Sequence, residues 1–199
     1  RAYVGESVRA PEEYYDVNVG GTLTLLKCMR KARIGQIVFS SSCATYGVPE
    51  RLPLDEETAQ RPINPYGFTK LAGERMLADF AAAYGLRWVA LRYFNAAGAD
   101  PDGELGEEHY PETHAIPLAI QAALGVGPAF TLMGGDYPTL DGSAVRDYVH
   151  VSDLADAHVR AAEYLFHGGA RVALNLATGQ GPSVLRIVDA VWAATGGPV

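Results

Sequence analysis

The sequence predicts an α/β fold in which an open parallel sheet is covered by helices on both faces. Two observations carry that expectation. Short β-branched or aromatic runs, QIVFSS at 36–41, RWVALRYF at 87–94 and Val172 to Ala177, alternate with longer segments of helical period. Gly-, Pro- and acid-rich connections separate the two kinds of segment, and ligands in such sheets sit beyond the C-terminal ends of the strands.

The chain opens at Arg1 in the middle of what reads as a loop. From Pro11 to Ala32, Tyr14, Val17, Leu23, Leu26 and Met29 recur at helical spacing and predict one helix. QIVFSS is short and apolar enough for a buried parallel strand. The polar and proline-bearing stretch from Ser42 to Asn64 predicts a loop, and Pro65 suits the first turn of a helix that runs to Tyr84 and stops at Gly85. RWVALRYF predicts the next strand, and the long connection NAAGADPDGELGEEHYPET is of the kind that carries function. A helix from His114 to Leu124 is expected next, then strands near Phe130 to Met133 and Val145 to Val149. A helix from Ser152 to Phe166, a strand from Val172 to Ala177 and a last helix from Ser183 complete the reading.

With 199 residues, 48% of them hydrophobic, the chain can bury a sizeable core and form one domain with a small second lobe. A formal charge of −7 without a run of Lys or Arg argues against nucleic acid and acidic membrane surfaces as partners. Every apolar stretch is shorter than the roughly 18 residues of a membrane span, and no charged-then-apolar leader opens the chain. Cys28 and Cys43 form neither a disulfide framework nor a metal site, so a reducing, cytoplasmic setting is expected. An opening at Arg1 and an end at TGGPV read as those of an internal fragment, with no internal repeat or long low-complexity linker.

The candidate chemistry rests on Tyr66 and Lys70, four residues apart in NPYGFTKLAGERML, with Ser42 at the end of FSSS upstream. Four residues is about one helical turn, so phenol and ammonium share a face. The chain has 11 Tyr but only three Lys (Lys27, Lys31 and Lys70), and Tyr66 is the only tyrosine followed at this spacing by a lysine. A phenol is almost fully protonated at neutral pH, and a neighbouring ammonium is expected to lower its pKa toward the working range. A hydroxyl such as Ser42 would orient the same substrate oxygen. Together the three suit removal of a proton from a carbinol while its hydride leaves, and because side chains do not accept hydride, a nicotinamide cofactor is implied.

This Ser and Tyr-x-x-x-Lys set after a VFSSS strand resembles the extended short-chain dehydrogenase/reductase superfamily. The blocks VGESV, YYDVNVGGT, FSSSCATYG, NPYGFTK, LRYFNAAGA, PETHAIP and GDYPTLDGSAVRDYVHVSDLADAH narrow the resemblance to the UDP-glucose 4-epimerases. It implies a Rossmann-like doubly wound sheet lacking its first βαβ units, with the cofactor-domain part over residues 1–95. Residues 96–199 would hold mainly the UDP-sugar lobe, interleaved with returning Rossmann elements. Ser42, Tyr66 and Lys70 match the catalytic trio, with Tyr66 taking the sugar 4-hydroxyl proton while C4 hydride passes to NAD. Lys70 would also bond the nicotinamide ribose, and Phe94 would pack near the nicotinamide beside Ser42 and Tyr66. On the substrate side, Asn95 falls where the diphosphate is contacted. His114, Ala115, Thr131, Leu132, Met133, Arg146 and Tyr148 align with the uridine-nucleotide site, where the Arg146 guanidinium matches phosphate geometry. The helix at 11–32 and that at 65–84 would pair across a homodimer.

Departures limit what is carried over. A G-x-x-G-x-x-G pyrophosphate loop is absent from the 22 glycines, Val17 stands where some members place a cofactor-contacting Asn (Asn18 adjoins it), and Ala115 replaces the commoner Leu. The 199 residues alone are therefore expected to be inactive, with the full-length protein interconverting UDP-galactose and UDP-glucose. The alternatives are a UDP-pentose or UDP-N-acetylhexosamine 4-epimerase and, in another class, a catalytically dead binding or dimerising fragment. A 4,6-dehydratase would need a Thr-Asp-Glu after the serine strand, where this chain has Cys43, Ala44 and Thr45.

Several residues invite sharper readings than the sequence supports. Glu107, Glu108, His109, Glu112 and His114 fit no common zinc spacing and read as a solvated acidic loop, so no metal is expected. Asp147, His150, Asp153, Asp156 and His158 straddle a strand end and a helix start and read as structural.

Overall fold

The computed structural model describes residues 1–197. Its elements in chain order are α1 (Val4–Arg9), α2 (Pro11–Tyr14), a π turn (Tyr15–Gly20), α3 (Gly21–Lys31), β1 (Gln36–Ser42) and a 3₁₀ turn (Cys43–Thr45). These are followed by α4 (Pro65–Tyr84), β2 (Arg87–Tyr93), β3 (Asn95–Ala97), α5 (Ala115–Ala123), β4 (Tyr148–His150), α6 (Val151–Phe166), β5 (Val172–Leu176) and α7 (Val184–Thr195). The chain divides into two compact units, residues 1–94 with 153–176 and residues 95–152 with 177–199.

In the first unit β1, β2 and β5 form a parallel sheet in the order β1-β2-β5, with Ser42 opposite Tyr93 at the C-terminal edge. Alternation along each strand decides what covers each face. Trp88 and Ala90 of β2, with Ile37 and Phe39 of β1, pack on Leu26 and Met29 of α3 and Leu77 of α4. Val89 and Leu91, with Val38 and Val172, pack on Ala161 and Leu165 of α6. Leu26, Leu77, Val89, Leu91 and Leu165 are at most 1% exposed, and each such side chain contributes about 1.5–3 kcal/mol by leaving water. Both faces are thus covered, which is why the middle of each strand is apolar on both sides.

Local signals set α4. Asn64 caps it by accepting the Gly67 N–H at 2.8 Å, Pro65 opens its first turn, and Gly85 ends it in the left-handed conformation at φ 72°. Two glycines then let the helix approach the sheet closely. A methyl group at Gly67 would lie 2.4 Å from the Ala44 carbonyl oxygen, and one at Gly73 would lie 2.5 Å from the Phe39 ring.

The second unit pairs β3 with β4 in parallel, Asn95 opposite Tyr148. Its core joins Ala119 of α5 to Ile187 and Val191 of α7. The Ser183 side chain caps α7 by accepting the Arg186 N–H, and Gly196 closes it at φ 70°.

Four expectations change. Residues 4–9 are a helix rather than loop, held by contacts with later residues. The predicted helix at 11–32 contains a π turn through which the backbone stays right-handed. No strand forms at 130–133, because that run has no partner strand among the described residues. The strand expected at 145–149 is reduced to an isolated Val145–Ser183 bridge and the short β4, and Asn95–Ala97 pairs with β4 where a connection was expected.

Candidate active site

Ser42 ends β1, buried, and its hydroxyl accepts the Ala44 N–H at 3.2 Å as the chain turns into the 3₁₀ segment. Tyr66 is the second residue of α4, where a backbone N–H has no partner within the helix. Fully buried Ser7 of α1 supplies one, its hydroxyl accepting the Tyr66 N–H at 3.2 Å while donating to the Val4 carbonyl at 2.7 Å. Thr69 donates to the Tyr66 carbonyl at 2.8 Å and accepts from Asn18 of the π turn at 3.0 Å. The Tyr14 ring meets the Tyr66 ring edge-on at 6.5 Å. The tyrosine is therefore held by its backbone, its neighbours and its ring, and the close approach at Gly67 sets α4 against the turn that follows Ser42.

Lys70 follows one turn later. Its Nζ donates to the Ser40 carbonyl at 2.9 Å and lies 5.5 Å from the Phe39 ring centre and 5.7 Å from that of Tyr66. The structure thus brings Ser42, Tyr66 and Lys70 together at the C-terminal edge of the sheet. The expected electrostatics differ. Burial pushes the Tyr66 phenol above its ordinary value of 10.0, and a hydrogen bond with Ser42 offsets only part of this. Burial also lowers the Lys70 ammonium. The expected downward shift is not found: the Lys70 ammonium donates to a β1 carbonyl, and burial is the leading influence on the phenol, which it raises.

Beneath the trio is a buried polar network that sequence reasoning missed. Glu74, one turn beyond Lys70, accepts from Arg92 of β2 at 2.7 and 3.0 Å, from Ser41 at 2.5 Å and from Gln60 at 3.1 Å. Arg92 donates to Tyr46 Oη at 2.7 Å, which donates to Asn175 of β5 at 2.7 Å. Burial pushes the Glu74 carboxyl up, but Arg92, Ser41 and Gln60 together hold it below the ordinary range. Next to it, Tyr93 donates to Ser40 Oγ at 2.5 Å and lies 2.8 Å from His158 Nε2. A charge inside each of two apolar runs, Glu74 and Arg92, was the available signal.

The remaining candidates are placed differently. Phe94 ends the first unit, half-buried, donating its N–H to the Leu176 carbonyl at 3.3 Å. Those expected to hold the sugar nucleotide fall in the second unit. Asn95 and Tyr148 are neighbours across β3 and β4, and Asn95 Nδ2 donates to the Asp147 carbonyl at 2.7 Å. Arg146 is exposed and donates to the Val145 carbonyl at 2.8 Å. His114 occupies the N-cap position of α5 without a side-chain cap bond and Ala115 begins the helix, whereas Thr131, Leu132 and Met133 lie exposed outside any strand. Asp147 accepts from the Thr178 and Gly179 N–H groups, and Asp156 pairs with Arg160 at 2.6 Å.

A serine at a strand end, a Tyr-x-x-x-Lys helix packed on the turn after it and a parallel sheet covered by helices on both faces form the arrangement expected of the dehydrogenase/reductase class. The chain belongs to the NAD dependent epimerase/dehydratase family, whose model matches residues 1–177. It is 60% identical to the UDP-glucose 4-epimerase of Rhizobium meliloti over 188 residues, 94% of this chain and 57% of that protein. A UDP-glucose 4-epimerase from Brucella ovis, solved in complex with NAD, matches at TM-score 0.95 and 59% identity, covering 97% of this chain and 59% of that one. The Bifidobacterium longum enzyme in complex with NAD+ and UDP matches at TM-score 0.91 and 42% identity over all of this chain and 60% of its own. The chain thus spans under two thirds of the length of these relatives.

Proposed function

We propose that the whole protein catalyses NAD-dependent, reversible 4-epimerisation of a UDP-hexose, interconverting UDP-galactose and UDP-glucose through a 4-keto sugar. The observation that carries this is the placement of Tyr66 on a helix packed against the turn that follows Ser42, with Lys70 one turn along and its Nζ 5.7 Å from the Tyr66 ring centre. The donor set also fits the cofactor: Lys70 gives one N–H to Ser40, carries two more for ribose hydroxyls, and shares its helix face with the Tyr66 hydroxyl. Bound NAD supplies the hydride acceptor and donor that side chains cannot.

The chain's own residues handle the proton. Ser42 Oγ orients the sugar 4-oxygen, and Tyr66 Oη takes its proton and later returns one, so that the 4-hydroxyl can be rebuilt on either face of the ring. Lys70 holds the ribose and keeps positive charge near the phenol. Phe94 is assigned to the nicotinamide side. Asn95, His114, Ala115, Thr131, Leu132, Met133, Arg146 and Tyr148 are assigned to the sugar nucleotide, with Arg146 on a phosphate.

Two coarser features extend the reading. No helix among the described residues is long and apolar enough to cross a membrane, and the unbridged Cys28 and Cys43 suit a reducing cytoplasm. Tyr15, Val17 and Leu25 on the first long helical segment and Phe68 and Tyr84 on α4 are exposed, which supports pairing of these helices in a homodimer.

The test is conversion of UDP-galactose to UDP-glucose by the purified whole protein. Interconversion supports the reading. Turnover confined to a UDP-pentose or a UDP-N-acetylhexosamine moves the substrate assignment, a 4-keto-6-deoxy product makes the protein a dehydratase, and no turnover of any UDP-sugar refutes it.

A further inference from the structure

The connection before α5 gathers four potential metal ligands within eight residues of chain. Glu107, His109, Glu112 and His114 place one donor atom each within 4.8 Å of one another. His109 Nδ1 lies 2.6 Å from Glu107 Oε1 and 3.9 Å from Glu112 Oε2, and His114 Nδ1 lies 3.3 Å from Glu107 Oε1 and 2.8 Å from Glu112 Oε1. Two of these, at 2.6 and 2.8 Å, are direct imidazole–carboxylate contacts, and because four ligands bound tetrahedrally at about 2.0–2.2 Å sit about 3.3–3.6 Å apart, a metal ion would take the place of these contacts as the side chains part.

We infer that this cluster binds one divalent transition-metal ion, Zn2+ or an ion of similar preference, through two imidazoles and two carboxylates. Both histidines turn Nδ1 toward the carboxylates, and their ring centres are 5.0 Å apart. A single dication among them would be met by one donor atom from each of the two carboxylates and two imidazoles. The shell is also partly built in advance. Glu112, with a side chain only 10% exposed, is oriented by accepting the Thr113 and His114 N–H groups at 2.7 and 2.8 Å. His114 is the N-cap residue of α5, so a metal here would pin the connection to the start of that helix. The sequence spacing read as a solvated acidic loop because no familiar motif separates these ligands. In the folded chain, with a bend at Tyr110 and Pro111 between them, the four side chains come together.

The test uses the whole protein, free of any histidine tag and stripped with a chelator. Isothermal titration with ZnCl2 and metal analysis after dialysis are expected to show one equivalent per chain. Glu107→Gln and His109→Ala should each weaken binding at least about tenfold, while Glu108→Gln, outside the cluster, should not. Circular dichroism and melting curves without metal establish that the variants fold. No saturable zinc binding, or binding equal in the wild type and both cluster variants, overturns the proposal.

Discussion

Tyr66 has to give up and regain a proton, yet its surroundings hold that proton more firmly than water does. Ser42 is the one neighbour shown to favour the phenolate, while Cys43, Tyr93 and above all burial oppose it. These residues fix the position of the phenol, and burial is the main influence that holds its proton. Removing the hydroxyl isolates this role, because Phe keeps the ring that packs on Tyr14. Tyr66→Phe in the whole protein is expected to lower kcat by about 10²- to 10⁴-fold, the range for a general acid-base group, with the melting temperature nearly unchanged. A near-normal rate of UDP-galactose conversion would remove Tyr66 from the proton-transfer role.

At the scale of elements, what places the site is the contact of α4 with β1 and β2. Gly67 and Gly73 allow the close approach, and the Glu74–Arg92 pair ties helix to strand at side-chain exposures of 6% and 7%. Breaking a buried pair on one side leaves the other charge uncompensated, which costs more than the intact pair contributes. Glu74→Gln, similar in shape but neutral, is expected to destabilise the protein by about 3–5 kcal/mol in denaturant titration. A change below about 0.5 kcal/mol would place this pair among ordinary surface ones. The ends of α4 were legible in the sequence because Asn64, Pro65 and Gly85 act locally, and the three core strands because burial on both faces leaves a continuous apolar run. Ser42, Tyr66 and Lys70 were legible as a spacing. By contrast α1 is held by Ser7 and by Tyr14 Oη, which accepts the Tyr3 N–H and donates to Glu6, contacts that only the folded chain creates. The run at 130–133 has strand-like composition, but a strand exists only with a partner. The roles of Glu74 and Arg92 depend on burial, which residue type alone does not disclose.

Across the whole molecule the perturbed phenols share one sign. Tyr14, Tyr46, Tyr66 and Tyr93 in the first unit and Tyr148 in the second are all pushed upward, in each case chiefly by burial. Tyr14, at 0% exposure, is raised further by its bond to Glu6, whereas Arg92 and Asn175 partly offset the rise at Tyr46, at 1% exposure. Unfolding returns each phenol to a pKa near 10, so above that pH the unfolded chain releases protons that the folded chain still holds. The folded state then binds more protons, and stability falls as pH rises. Below about pH 10 both states keep the phenols neutral and the contribution is fully present. Lys70 acts in the opposite sense, since its lowered pKa lets the folded chain lose that proton first. One lysine does not balance five tyrosines, among which Tyr14 and Tyr46 dominate because water scarcely reaches them. Each raised phenol removes at most about 1.4 kcal/mol per pH unit over its window. Unfolding free energies from urea titrations of the whole protein are thus expected to fall by a few kcal/mol between about pH 9 and about pH 11, with Tyr14→Phe flattening the slope. An unchanged or rising stability over that range would show that these phenols titrate alike in the folded and unfolded states.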